Sequence, residues 1–248
     1  MTNDARNPYE PPRAPLEVAA TIRQGGSVED ALAGRYDFTA GEVMSEAWDL
    51  VNGFKAPFWV AALIIGALFV ALQLVWGEIV SPWLLGPQPL EVVESFASSL
   101  VDALMAPLFV GLTAMAVRRA SGLPVSAPMA FIYLNKASVM IAAAILTTLF
   151  TYAGLVLLIL PGIYLSIAYT MTMPLLAFYD VRPWAAMEAS RKAITHKWFS
   201  VFGLLLLAGV LTGLSAAAFL IPLIWTLPWM VLVIGVLYRK MFGAPFRS

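Results

Sequence analysis

Apolar residues along this chain gather into six long runs separated by short polar stretches: Phe58 to Trp76, Ser98 to Val117, Val139 to Leu160, Ile163 to Tyr179, Phe199 to Leu220 and Leu223 to Tyr238. A helix needs about 20 predominantly apolar residues to cross the ~30 Å hydrocarbon core of a bilayer. Each run is therefore predicted to be a transmembrane helix, and the fold class an all-α integral membrane protein. Only Pro161 and Gly162 separate the third run from the fourth. That predicts a tight turn at the membrane face, because proline cannot continue a helix and glycine frees the backbone. Pro222 is given the same part between the fifth and sixth runs, so the spans are expected as three hairpins.

The polar stretches have patterns of their own. From Pro183 to Lys197, Trp184, Met187 and Ile194 fall on one helical face and Glu188, Arg191, Lys192 and Thr195 on the other, with proline at the start. Ahead of the first run, Thr39 and Glu42 have capping-box spacing, and Val43, Ala47, Leu50 and Phe54 follow at helical intervals. Both segments predict amphipathic helices lying in the cytosolic interface. Their spacings also match: Glu46 and Glu188 each precede a lysine, Lys55 and Lys197, by nine residues. Pro107 and Pro228 each stand eleven residues before an arginine, Arg118 and Arg239, while Pro174 stands eight before Arg182. Prolines inside spans predict kinks at Pro107, Pro174 and Pro228. The pattern implies three parallel repeats of interfacial helix, straight span and kinked span, about 38–119, 124–182 and 183–240. The middle one is degenerate, with Ala127 where the others carry glutamate.

Composition confirms the class: 60% of residues are hydrophobic, 12% are charged and the mean hydropathy is +0.82, whereas soluble domains carry about a quarter charged residues. Residues 1–37, rich in proline, arginine and glycine, read as a disordered cytosolic tail, 38–242 as the membrane domain and 243–248 as a second short cytosolic tail. No short apolar segment with a small-residue cleavage site precedes Pro57, so the first span is expected to act as the insertion signal. The net charge of zero hides an asymmetry. Every lysine and arginine beyond the tail lies between hairpins or at their open ends, and the sizeable loop 77–96 carries Glu78, Glu91 and Glu94 with no basic residue. The positive-inside rule then places both termini in the cytosol.

The stretch "LPGIYLSIAYTMTMPLLAFYD" followed by "AMEASRKAITHKWF" resembles the LPGIYL, central-proline and EA-x-S pattern of a broad group of bacterial inner-membrane proteins, the YciC-like group and the membrane portion of some glycerophosphodiester phosphodiesterases. The likeness is clearest over residues 158 to 203. It implies a six-span protein of the bacterial inner membrane and lends no catalytic residues. The tail's "NPYEPP" resembles a short motif at the start of many small proteobacterial membrane proteins.

Candidate chemistry is sparse. The absence of cysteine excludes thiolate catalysis, disulfides and Cys-ligated metals, and the single His196, beside Lys197 and Trp198, reads as an interfacial residue. Nothing points to a metal, a cofactor, nucleic acid or an enzyme. Asp102 is the one carboxylate within the predicted spans, with Gln73 as a polar companion. Glu91, Ser95, Ser98 and Asp102 fall on one helical face that descends toward Pro107. Intramembrane carboxylates are costly and by default face a cavity or partner; the blander reading is that Asp102 lies about one turn below the surface, within reach of water. The small residues Gly209 and Gly213 of the fifth run suggest close helix packing inside the monomer. Arg118, Arg119, Lys136, Arg191, Lys192, Lys197, Arg239 and Lys240 form a basic girdle suited to anionic headgroups. The expected function is a non-enzymatic membrane module that binds lipids or another membrane protein in membrane homeostasis. The alternative is a small-solute or lipid transporter with a pathway near Asp102.

Overall fold

A computed structural model describes residues 25–218 and 220–246. The described residues are helical, with no strand among them. Six helices are long and apolar enough to cross a membrane: Lys55–Leu85, Glu91–Ala120, Ala127–Leu157, Ile159–Phe178, Trp198–Ala217 and Leu223–Phe242. They are numbered here as spans one to six. Shorter helices, Val28–Leu32, Ala40–Val51 and Pro183–Thr195, complete the structure. Thr39 caps the second of these reciprocally with Glu42, as the sequence spacing predicts.

Span two is the centre of the bundle, with Ala106, Leu108, Val110, Ala114, Met115, Ala116 and Val117 all buried. Spans three and six pack most closely against it, with spans one and four beside them, and the helix Ala40–Val51 lies on span six. In a bilayer, lipid tails are as apolar as leucine, so helices associate chiefly through close packing, which small residues permit. Span six shows this at Gly235: a Cβ there would lie 2.6 Å from the carbonyl carbon of Ala116. Spans one, three and five turn long aliphatic side chains outward, among them Leu63, Val70, Val156, Leu207 and Leu214.

Several expectations require correction. The turn between spans three and four is at Leu158, whose backbone is extended (φ −158°, ψ 134°), and Pro161 and Gly162 lie within the helix that follows. Proline costs little there, because the amide groups of a helix's first turn have no intrahelical acceptor. Gly162 serves close approach rather than the turn: a Cβ on it would meet Leu155 Cγ at 2.4 Å. Span one does not stop at Trp76 but continues through one π-helical turn, Trp76–Val80, and a further helix to Leu85, shortening the expected loop. Trp76 and Ser81 both bond the Glu94 carboxylate, which ties this extension to span two. Span three opens with a 3-10 helix, Ala127–Lys136, and becomes α-helical only from Ala137. Gly209 and Gly213 face open space and pack against nothing in the chain.

The boundary at residue 38 is also displaced. Residues 25–37 are packed onto the body: Ala31 and Tyr36 are buried, Tyr36 donates to Ala193 O at 2.8 Å, and His196 Nε2 lies 3.1 Å from Leu32 O. Gly26 N donates to Arg239 O. The polar composition of this segment conceals the few contacts that anchor it; residues 1–24, with the "NPYEPP" stretch, lie outside the described residues. At the other end, Phe246 packs edge-on against Phe178 and beneath the Arg118 guanidinium, so 243–246 are likewise attached.

Candidate functional site

Besides the π turn of span one, spans two and four lose their α-helical bonding part-way along. In span two the α-helix Glu91–Asp102 passes into a 3-10 turn, Ala103–Met105, before resuming at Ala106 with Pro107 in its first turn. In span four the helix Ile159–Ala168 ends, and Thr172–Phe178 begins beyond a turn, with Pro174 near its start. Pro228, by contrast, lies inside the continuous helix Leu223–Phe242. Prolines in the first turn of a resumed helix lose no hydrogen bond, whereas one in the interior does.

A cavity of about 460 Å3 lies where the two interruptions meet span three. Span two supplies Ser99, Asp102 and Thr113, span three Thr147 and Thr148, and span four Thr170 and Pro174, while Phe69 and Phe109 form an apolar flank. A smaller pocket of about 290 Å3 shares Ser99, Thr147, Thr148 and Thr170 with it and adds Thr151, Tyr152, Ser166 and Tyr169. Together they form a hydroxyl-rich groove at the level of the apolar spans. From Ser99 to Thr113 the groove follows about 20 Å of span two, at 1.5 Å per residue.

Several hydroxyls of this groove donate to their own helices, while Tyr152 OH donates from span three to Ser95 O of span two at 3.3 Å. Ser99 Oγ bonds Ser95 O at 2.8 Å and lies 2.9 Å from Tyr152 OH. Thr113 bonds Phe109 O, Thr147 bonds Ala144 O, Ser166 bonds Ile163 O and Thr170 bonds Ser166 O. Asp102 Oδ1 is buried and has no hydrogen-bond partner.

The expected polar stripe divides. Asp102 lines the groove, but Ser98 turns toward span one, where it accepts from Gln73 Nε2 at 3.2 Å. Glu91 is exposed at the start of span two. Sequence reasoning missed the other walls, although "TTLFTY" at 147–152 and "SIAYT" at 166–170 set hydroxyls at helical intervals inside apolar runs.

The girdle cations have partners within the chain. Arg239, its side chain 7% exposed, bonds Glu46 at 2.8 Å and Ala120 O at 3.0 Å. Arg119 donates to Leu50 O and Asn52 O, and Lys136 reaches Leu176 O at 3.5 Å. Arg191 forms a two-pronged pair with Glu188, which Lys192 also approaches at 3.4 Å. Lys197 bonds Asp37 at 2.7 Å, Lys240 stands 3.9 Å from Glu42, and Arg118 stacks on Phe246. Arg191 holds the Glu188 carboxyl below its ordinary range, and Lys197 does the same to Asp37. The matched positions Glu46 and Glu188 thus take different partners. A cleft of about 930 Å3 between Glu42, Glu46, Asp49, Arg119 and Lys240 mixes both signs of charge.

Comparison of the chain with protein-family models, with curated proteins and with solved structures found no match.

Proposed function

We propose that this protein is a non-enzymatic, multi-pass module of the bacterial inner membrane that binds a lipid in the groove between spans two, three and four. The observation that carries the reading is a hydroxyl-lined cavity at the level of apolar helices, flanked by phenylalanines. Amphiphiles suit such a site, since one part of the molecule meets polar atoms and another meets hydrocarbon. Both termini lie in the cytosol, as the one-sided basic residues favour. Three hairpins, each entered through a helix at the cytosolic interface, make up the repeated unit. The segment before span five supports this in Pro183–Thr195, which buries Ala186, Met187, Ser190, Ala193 and Ile194 and turns Trp184 and Lys192 outward. The likeness of residues 158 to 203 to the YciC-like group agrees with the same setting.

Because the basic girdle is engaged by internal partners, we assign it mainly to holding the helix ends together, with a lesser part in meeting headgroups. Native mass spectrometry of the protein purified from its membrane tests the reading: retained lipid is expected, and a fully lipid-free protein overturns it. A second reading, transport of a small solute or lipid, is favoured by the two interrupted helices beside one cavity, an arrangement suited to binding sites near mid-membrane. Movement of solute or lipid across proteoliposome membranes that is lost in Asp102→Asn, with stability retained, would favour transport.

A further inference from the structure

We infer that the groove receives a primary ammonium group at Asp102, supplied by the headgroup of an aminophospholipid. The inference rests on the lipid-binding reading and names the ligand's chemistry.

Asp102 is the one carboxylate among the described lining residues, and no lysine or arginine stands beside it there. A carboxylate taken out of water requires a compensating charge or hydrogen-bond donors, and Oδ1 has neither from the chain. Four of the surrounding hydroxyls already have their donor engaged. Those of Thr113, Thr147, Ser166 and Thr170 give their single hydrogen to carbonyls three or four residues back. A hydroxyl so engaged presents only lone pairs to a ligand. Every hydroxyl of the groove can accept, and these four can only accept.

An ammonium group fits both features, since its three N–H donors can meet the carboxylate and two hydroxyl oxygens. A phosphate would set its own negative charge against the Asp102 carboxylate. Position selects the source: Asp102 lies toward the Glu91 end of span two, where a headgroup enters, and Phe109 and Met173 line the groove farther along for a hydrocarbon chain.

The test uses the full chain in nanodiscs of phosphatidylglycerol mixed in equal parts with either phosphatidylethanolamine or phosphatidylcholine, released into mild detergent for native mass spectrometry. Phosphatidylethanolamine should be retained about tenfold over the other two, and Asp102→Asn should abolish the preference, a factor worth ~1.4 kcal/mol. Thr147→Val should weaken it. The headgroup comparison on the natural chain needs no variant to fold, and melting temperatures monitor both variants. Equal retention of ethanolamine and choline lipids, or a preference surviving in Asp102→Asn, overturns the ammonium site while leaving lipid binding intact. If no lipid is retained, the lipid-binding reading fails. Stabilisation by free ethanolamine but not by sodium chloride, lost in Asp102→Asn, would then keep the ammonium site with a soluble ligand; equal stabilisation by both salts, or by neither, overturns it.

Discussion

Ser190 closes the break in span four: its Oγ donates to Ala168 O at 2.6 Å and accepts from Met171 N at 3.1 Å. Both backbone groups flank the turn between the two halves of the span, and in an apolar surrounding each would otherwise be unsatisfied. The helix Pro183–Thr195 is thus joined to the interruption that helps to shape the groove. Ser190→Ala should lower stability by about 1–3 kcal/mol, the usual cost of orphaning buried polar groups. Thermal unfolding in detergent reads it, and an unchanged melting temperature would count against the bridge.

Glu46 and Arg239 tie the helix Ala40–Val51 to span six. The guanidinium is nearly inaccessible, and its second bond goes to Ala120 O at the end of span two. Breaking one side of a buried pair costs about 3–5 kcal/mol because the other charge stays buried. Glu46→Ala alone should therefore unfold the protein earlier than Glu46→Ala combined with Arg239→Met. A double variant less stable than the single one would contradict a buried, mutually dependent pair.

The apolar runs made six spans legible because length and hydropathy suffice to define a membrane helix, whatever it packs against. The capping box at Thr39 was legible for a similar reason, being a local device. The interruption at Ala103–Met105 and the turn at Leu158 were not, since "ALM" and "L" carry no breaker signal. Proline marked the right neighbourhoods but the wrong residues, because a proline can stand in the first turn of the helix after a break. The groove escaped notice because its hydroxyls come from three spans. Ser190 escaped because only tertiary contact distinguishes it from a solvent-facing serine of an amphipathic helix.

Attachment of residues 25–37 should weaken in alkali more than in acid. Burial pushes the Tyr36 hydroxyl up to about 12, so its contribution is complete below the unfolded value near 10 and is lost as pH rises from there to about 12. Asp37, held below its ordinary range by Lys197, contributes above the unfolded carboxylate value near 3.9 and loses its effect as pH falls below it. Its side chain is 92% exposed, so that effect is small. Hydrogen exchange across 27–37, corrected for intrinsic rates, should rise above pH ~10 in the natural chain and change little near pH ~4. In Tyr36→Phe the alkaline rise should disappear; its persistence would assign the loosening to another group.

Orientation is settled by two exposed positions on opposite ends of span two. Gln88 precedes the span in the loop joining it to span one, and Ser126 follows Arg118 and Arg119. Ser121 is unsuitable for labelling because it is fully buried and bonds Val117 O, and Gly86 is unsuitable because its φ of 87° strains any side chain. The chain has no cysteine of its own, so Gln88→Cys and Ser126→Cys each place a single thiol in a silent background. With the basic ends in the cytosol, an impermeant maleimide added to intact cells should modify position 88 at once and position 126 only after the membrane is opened. Modification of 126 but not of 88 in intact cells would invert the protein, placing the Glu91 end of span two, and with it the entrance proposed for a headgroup, on the cytosolic leaflet.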